Sequence, residues 1–229
     1  LWILTFFDSE NPEWGVSELA RHLELPKSLV QKTLATFAQH GFLRQEPPPR
    51  RYRLGPRILS LARVAQPALA RAAQPYMAQL AEATAETGKL TLLDGGQTVI
   101  VAAVESPQSL RMTGRVGERR ELHAGASNKV LAAYMPWPDV VRPLEAHLPA
   151  NDPVFDRLDA LKEELAAIAA RGWAVSTGEN EEGVTAVCVP VYDMFGVVAA
   201  SLSVLGPSVR MTPARQQKFL QLLRQTARD

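Results

Sequence analysis

Apolar residues recur at helical spacing in two short segments near the amino end of this 229-residue chain. The pattern predicts a first helix that begins at Ser17, whose hydroxyl can accept a free N–H group of the first turn. A second, longer helix is predicted to start at Pro26, which needs no N–H in a first helical position. It is predicted to end at Gly41, which suits a left-handed cap. The apolar stripe of this second helix consists of Val30, Leu34, Phe37 and Ala38.

The opposite face of the second helix carries short or cationic side chains, namely Lys27, Ser28, Gln31, Lys32 and Ala35. Such a flat face suits the major groove of DNA, where amides and hydroxyls reach base edges and lysines reach phosphates. The alternative is a small helical core whose charged face is only solvated.

Two short strands are predicted after the second helix, at 42–44 and 52–54, joined by the segment PPPRR. From Lys27 through Arg57 the chain has seven Lys and Arg against one acid, a local net charge of +6. The helix pair, the ribbon and the charge bias together predict a winged helix-turn-helix. The tip of the wing would then present Arg50 and Arg51.

A helical connector is expected over residues 55–74, where RILSLARVA has helical apolar spacing and Pro67 interrupts it. Pro75 is expected to open a longer helix that Gly88 ends. The predicted domains are therefore 1–54 for DNA binding, 55–74 as a linker and 75–229 as a second domain. A helical linker is stiff and can transmit geometry, whereas a Gly/Ser linker would only tether the domains.

From Lys89 onward the apolar period changes to two, which indicates strands. Strands are predicted on both sides of a turn at 94–96 and then at 109–113, 173–176, 184–192 and 197–205. Helices are predicted from near Ser127, from 156 to 171 with Gly172 as its cap, and from Thr212 to Arg228 with Thr212 as its cap. This order predicts an antiparallel sheet with helices on its faces, an α+β domain.

Charge is unevenly distributed, although the whole chain carries a net charge of only +1. Residues 1–66 hold nine Lys/Arg and six Asp/Glu, a net of +3, whereas 67–229 hold sixteen and eighteen, a net of −2. A polyanionic partner is therefore expected at the N-terminal part alone. The lone cysteine, Cys188, excludes an internal disulfide and fits a reducing cytoplasm. No apolar run approaches the roughly 20 residues that cross a bilayer, so no membrane partner is expected.

The first residues, LWILTFF, lack the basic flank of a signal peptide. They are expected to form the back half of a helix that starts before Leu1, with Trp2, Ile3 and Phe6 packed under the helix-turn-helix. A polar loop is expected over residues 8–15.

Four segments resemble the IclR type of bacterial transcriptional regulators: PKSLVQKTLATFAQHGFL, YRLGPRILSLA, VGERRELHAGASNKVLAAYMP, and RGWAVSTGENEEGVTAVCVPVYD with the following GVVAASLSVLGPSVRMT. They occur in the order of the family over nearly the whole chain. The resemblance implies a winged helix-turn-helix that binds double-stranded operator DNA, a linker helix, and a GAF-like α/β domain that binds a small organic effector. It also implies a homodimer, which in this family often pairs again as a dimer of dimers, and no cofactor is expected.

The residues expected to contact DNA are Ser17, Lys27, Ser28, Leu29, Gln31, Lys32, Arg50, Arg51 and Arg53. Leu29 departs from the family, which often has Ser or Thr there. A leucine at that position can contact a thymine methyl group.

The resemblance places a ligand pocket at the mouth of the sheet, against the start of the helix near Ser127. The backbone amides of Ala126 and Ser127 would point inward, and free N–H groups at a helix start favour a carboxylate. Further expected pocket residues are Ser176, Ala186, Cys188, Ser203 and Leu205, with Leu110 and Met112 as an apolar wall. Relatives that bind small oxo-acids have an acid, a cysteine and a serine where Ser176, Ala186 and Leu205 stand. A larger or more apolar ligand, such as an aromatic acid, is therefore expected.

Small residues alternate onto one face at 186–190 and at 201–205. They either line a cavity or let a helix approach the sheet closely, and the resemblance favours the cavity, with Cys188 as an inert buried thiol. His123 is expected to be packed, because the other histidines lack metal-ligand spacing. The run Glu179 to Glu182 is expected to be a solvated loop and not an acid/base pair. Arg119 and Arg120 could assist an anionic ligand, but they are expected to be surface charges.

The alternative function is a small-molecule hydrolase or transferase fused to a winged helix. It lacks support, because the chain has neither a GxSxG elbow nor a phosphate-binding glycine loop. A weaker alternative is a winged helix used for protein contact. We therefore expect a regulator and not an enzyme.

Overall fold

The structure is a computed structural model that describes residues 2–8, 11–46, 51–65 and 67–228. The chain divides into two compact units, Leu1–Gln66 and Pro67–Asp229. Their junction falls inside the segment 55–74 that the sequence assigns to a linker. The predicted wing-tip residue Arg50 lies outside the described residues.

The first unit combines helices with a small antiparallel sheet. Its elements are a 3-10 helix at Trp2–Phe6, β1 at Glu13–Gly15, α1 at Val16–His22, α2 at Lys27–Gln39, β2 at Leu43–Glu46, β3 at Arg51–Leu54 and α3 at Arg57–Ala65. The strand order is β1-β3-β2, so β3 is the middle strand. The buried core consists of Ile3, Phe7, Trp14, Leu19, Ala20, Val30, Leu34, Leu43 and Tyr52. The predicted winged helix-turn-helix is therefore confirmed, with β2 and β3 as its wing.

The start of α1 corrects the predicted cap. The helix begins at Val16, and its cap is Gly15, whose N–H donates to Glu18 Oε2 at 3.3 Å. Ser17 is instead an exposed residue of the first turn. Pro26 is the cap residue before α2 and not its first residue, so this helix starts one position later than predicted. Gly41 has the expected left-handed φ of 76°.

β1 replaces part of the polar loop predicted at 8–15. It exists because Glu13–Gly15 pairs with the middle strand β3 and because Trp14 is buried between its neighbours. The indole N–H of Trp14 donates to the carbonyl oxygen of Phe6 at 2.7 Å. At the amino end, Ile3 is buried as predicted, whereas Trp2 is exposed.

The second unit is a six-stranded antiparallel sheet with helices on both faces. The strands are β4 at Thr87–Asp94, β5 at Gln97–Val104, β6 at Arg119–Arg120, β7 at Ala174–Thr177, β8 at Val184–Tyr192 and β9 at Val198–Pro207. The helices are α4 at Ala68–Thr84, α5 at Ala126–Ala132, α6 at Trp137–His147, α7 at Leu158–Arg171 and α8 at Pro213–Thr226, with a 3-10 turn at Phe155–Arg157. The strand order is β6-β5-β4-β9-β8-β7.

Two apolar cores lie on opposite faces of this sheet. On one face α4 and α8 cover Leu90, Val187, Leu202 and Val204. On the other face α5 covers Ala174 and Cys188 and is itself covered by α7. Alternate residues of β8 and β9 point to the two faces, because successive strand residues alternate in direction. The predicted α+β arrangement is confirmed.

Local details of the second unit differ from the prediction in three places. Pro75 lies inside α4 and does not open it, since the helix already begins at Ala68. The helix ends at Thr84 with Ala85 in a left-handed conformation, so Gly88 is part of β4 and not a cap. Residues 109–113 form no strand, and the edge of the sheet is instead the two-residue strand β6.

Candidate functional site

The exposed face of α2 has the residues that the sequence places there. Lys27, Ser28, Leu29, Gln31 and Lys32 are all exposed. The buried stripe that contains Val30 and Leu34 fixes the rotation of the helix, so this opposite face must turn to solvent. Contact between this face and DNA stays a prediction.

Both described arginines of β3 are engaged by carboxylates of the first unit. Arg51 lies 2.9 Å from Glu13 and 2.7 Å from Glu18, and Arg53 lies 2.8 Å from the second oxygen of Glu13. Arg51, which the sequence places at the tip of the wing, is the first residue of β3 and forms two ion pairs. Lys27, by contrast, forms no ion pair with any described residue.

The second unit contains a polar cavity between the sheet and the start of α5. Its walls come from all six strands of the sheet, from α5 and from loop residues in the ranges 112–118 and 180–181. It encloses about 70 Å³, less than the ~150 Å³ of a cavity that holds benzene. The lining residues are Lys89, Thr91, Thr98, Ile100, Met112, Thr113, Glu118, Arg120, Ala126, Ser127, Asn128, Ser176, Asn180, Glu181, Val184 and Leu205. Most of them are polar, so the cavity suits a compact polar ligand.

Lys89 is the unpaired charge of this cavity. Its ammonium group makes no hydrogen bond or ion pair with the residues that the structure describes. Burial lowers the pKa of Lys89, and the nearby Glu118 and Glu181 carboxylates act in the opposite direction. The second cation, Arg120, contacts Glu118 and lies 3.7 Å from Glu181. An anionic ligand could therefore pair with Lys89 directly, whereas it would compete with Glu118 and Glu181 for Arg120.

The start of α5 offers fewer free amides than the sequence suggests. Ala126 N–H donates to Ser176 Oγ at 2.9 Å, and Gly125 N–H donates to Glu179 Oε2 at 2.8 Å. Ser127 N–H has no hydrogen-bond partner within the described part of the chain. Ser176 consequently serves as an acceptor for α5, and of the two amides predicted to meet a ligand only that of Ser127 is free.

Five of the predicted pocket residues line the cavity, namely Met112, Ala126, Ser127, Ser176 and Leu205. Leu110 does not, because it lies on the loop before the cavity with 65% of its surface exposed. The predicted apolar wall is therefore reduced to Met112.

Ala186, Cys188 and Ser203 do not line the cavity either. Ala186 and Cys188 pack against α5 and α7, and Ser203 is paired in register with Cys188 and 1% exposed. Here the small residues let α5 approach the sheet closely, the alternative that the sequence left open. Burial raises the pKa of Cys188 to about 12, in keeping with an inert thiol.

The sequence interpretation missed the charged part of the cavity, which comprises Lys89, Glu118, Arg120 and Glu181. Lys89 had a weak signal, because it begins an otherwise apolar strand segment, KLTLL. In register it pairs with Ser203, so it shares the α5 face of the sheet. Arg120 gave no such signal, since its position on β6 depends on pairing with β5.

Residues 179–182 form an exposed loop, as predicted, but Glu179 is anchored to α5. Lys129 is 3% exposed and lies 2.7 Å from Glu179 and 2.5 Å from Glu164. His123 is partly buried, and burial lowers its pKa. Within the described residues no group of three or more potential metal ligands occurs, nor is any helix there long and apolar enough to cross a membrane.

Two family descriptions match this chain. The one described as "Bacterial transcriptional regulator IclR C-terminal" matches residues 62–229, and the "IclR helix-turn-helix domain" matches residues 1–47. The chain belongs to the IclR family.

Curated IclR relatives are similar over most of the chain. The HTH-type transcriptional regulator KdgR of Escherichia coli (strain K12) is 33% identical over 223 residues, which cover 96% of this chain and 85% of the relative. The HTH-type transcriptional regulator XynR of the same organism is 28% identical over 232 residues, with 98% and 91% covered. The chain is accordingly an IclR-family DNA-binding transcriptional regulator.

Solved structures agree with this assignment. An IclR transcriptional regulator from Silicibacter sp. TM1040 has a TM-score of 0.77 at 30% identity, covering 99% of this chain and 91% of its own. An IclR homolog from Microbacterium hydrocarbonoxydans, complexed with 4-hydroxybenzoate, has a TM-score of 0.82 at 23% identity, covering 98% and 92%. The second likeness establishes the shared fold.

Proposed function

We propose that this regulator binds operator DNA as a homodimer and that a small organic acid in the α5 cavity alters this binding. The observation that carries the effector part is that the unpaired ammonium of Lys89 and the free N–H of Ser127 line the same cavity. An ammonium group and a helix-start amide both favour a carboxylate.

The polarity of the cavity argues for a small effector with hydroxyl, oxo or amino groups besides its carboxylate. Thr91, Thr113 and Asn180 offer hydrogen bonds around the cation, and Glu118 and Glu181 can accept them. This differs from the larger, more apolar ligand that the substitutions at 176, 186 and 205 suggest. A single aromatic ring with polar ends, like the 4-hydroxybenzoate of the Microbacterium homolog, would need a wider cavity than the roughly 70 Å³ found here.

On the DNA side, each α2 would enter a major groove, and a dimer would read two half-sites about 34 Å apart. Lys27 and Lys32 are exposed next to the base-reading face and are suited to phosphates. The effector would act through the chain segment of α3 and α4, the only covalent link between the two units. Because the coupling is reciprocal, an effector that weakens DNA binding must itself bind less tightly to the DNA complex.

The test is ligand binding to the full chain, measured by thermal shift and calorimetry against small carboxylic acids that include 4-hydroxybenzoate. We expect Lys89→Met to weaken binding of any acid that binds by roughly tenfold or more, because it removes a charge-assisted contact. Lys218→Met removes an exposed lysine of α8 with no described partner, and it should leave binding unchanged. Equal binding by wild type and Lys89→Met would exclude Lys89 as the carboxylate anchor.

A further inference from the structure

Glu13 and Glu18 bring two carboxylates to the two arginines of β3. Glu13 pairs in register with Arg53 and also neighbours Arg51 across the strands. Its Oε2 lies 2.8 Å from both Nε and Nη2 of Arg53, and its Oε1 lies 2.9 Å from Arg51 Nε. Glu18 Oε2 lies 2.7 Å from Arg51 Nη2. Each guanidinium therefore already holds an acidic oxygen where DNA would offer a phosphate oxygen.

These ion pairs change the charge that the first unit offers to DNA. The +6 counted from Lys27 through Arg57 omits Glu13 and Glu18, which precede that segment. Arg44 is likewise paired with Glu46 at 3.1 Å. Three of the arginines in the segment thus have carboxylate partners, and the cationic surface is smaller than the sequence count implies.

The pairs are open enough to exchange. The four side chains are between 30% and 46% exposed. Exposed ion pairs are weak, because water and salt screen them. A phosphate can therefore displace a carboxylate, but the displaced carboxylate is then left beside the DNA backbone and repels it.

We propose that Glu13 and Glu18 compete with the DNA backbone for Arg51 and Arg53, so that binding to DNA of every sequence is weakened. This inference rests on the proposed contact of these arginines with DNA. Phosphate contacts carry no sequence information and supply essentially all of non-specific binding. Weakening them therefore lowers the affinity for non-specific DNA and for an operator by similar factors.

The competition has a signature in the salt dependence. Each arginine that binds a phosphate releases a counterion from DNA, whereas a carboxylate that loses its arginine takes up a cation from solution. The two effects oppose each other. Removing the carboxylate should therefore both tighten binding and steepen its decline with salt.

The experiment compares Glu13→Gln with Glu24→Gln in the full chain. Glu24 is an exposed acid of the same unit with no described side-chain partner, so both variants change the net charge equally. The probe is a labelled duplex of arbitrary sequence, titrated between about 50 and about 200 mM salt. We expect Glu13→Gln to bind roughly fivefold tighter or more, with a log–log slope steeper by about one to two, while Glu24→Gln changes affinity less than about twofold. Equal effects of the two variants, or weaker binding by Glu13→Gln, would overturn the proposal.

The double variant Arg51→Gln with Arg53→Gln separates this inference from the proposed DNA contact. If it binds the duplex like wild type, the arginines do not contact DNA and the proposed wing contact fails. If it binds more weakly while Glu13→Gln matches Glu24→Gln, only the competition is wrong. In the double-variant background Glu13→Gln should lose its excess effect over Glu24→Gln. Should Glu13→Gln fail to fold, Glu18→Gln tests Arg51 alone, with an expected slope change of about one; an unchanged slope would then overturn the proposal.

Discussion

At the scale of single residues, Cys188 shows how the sheet beneath α5 controls reactivity. The thiol is fully buried, and burial raises its pKa to about 12. Its ordinary value is 9.0, so the folded pKa is the higher one. The stabilising effect of the protonated thiol is complete below about pH 9 and is lost as pH rises toward about 12.

We predict that Cys188 of the folded protein resists iodoacetamide near pH 8. The thiolate is the reactive form, and its fraction falls about a thousandfold when the pKa rises from 9.0 to about 12. Labelling followed by mass spectrometry should be at least about a thousandfold slower than in concentrated guanidinium. Native labelling within about tenfold of the denatured rate would show that the thiol is accessible and ionised.

At the scale of elements, one buried carboxylate joins three parts of the second unit. Glu86, between α4 and β4, is 1% exposed and binds both Nε and Nη2 of Arg210 at 2.7 Å. Arg215, in the first turn of α8, lies 3.5 Å from the same carboxylate and donates to the carbonyl oxygen of Thr84 at 3.0 Å. On β9, Gly206 lies against the carboxylate, where a larger residue would collide with it. The end of α4, strand β9 and the start of α8 therefore depend on one acid.

We predict that Glu86→Gln destabilises the second unit by about 2 kcal/mol. Breaking a buried pair costs about 3–5 kcal/mol, but Arg210 is partly exposed and glutamine retains one acceptor, which reduces the loss. Scanning calorimetry should show the transition of this unit lowered by roughly 5 °C. Glu163→Gln, on the exposed side of α7, is the matched control and should shift it by less than about 1 °C. A Glu86→Gln shift as small as that of the control would mean that the pair adds nothing to stability.

At the scale of the whole molecule, local signals account for what the sequence predicts correctly. Gly41 and Gly172 have the left-handed φ angles expected of helix ends, and the Thr212 hydroxyl accepts the Arg215 N–H. Each of these signals depends on a few neighbouring residues. The sequence pattern therefore predicts α2, the hairpin of β4 and β5, and the last two helices, α7 and α8.

Features that depend on distant pairing were not readable in the same way. β1 is a strand because it pairs with residues about 40 positions later in the chain. Its three residues are too few to show an alternation of apolar and polar positions, so the sequence does not predict it. The cavity joins Lys89, Arg120 and Glu181, whose meeting depends on the strand order. Ser176 lines the cavity as predicted. Its hydroxyl, however, accepts a hydrogen bond from the N–H of Ala126, 50 residues earlier in the chain, so it serves the start of α5.

At the scale of the assembly, the exposed surface of α3 makes the proposed dimer testable. This nine-residue helix exposes 73% of Leu59, 49% of Leu61 and 80% of Val64. Leu61 and Val64 are three positions apart and lie on one side of the helix. Apolar side chains exposed there are costly to leave in water, and a second copy of the same helix would cover them. A dimer would also hold two copies of α2 at a fixed spacing, which two half-sites require.

We predict that Leu61→Glu combined with Val64→Glu shifts the regulator from dimer to monomer in sedimentation experiments. Charged groups facing each other across a twofold interface repel and must be desolvated, so association should weaken by at least about a hundredfold. Binding to a duplex with two half-sites should then require higher protein concentration and lose its cooperativity, while binding to one half-site persists. Val209→Glu alters a comparably exposed apolar residue of the second unit, 83% exposed, and should affect neither measurement. A dimer that survives the double substitution would place the interface elsewhere on the chain.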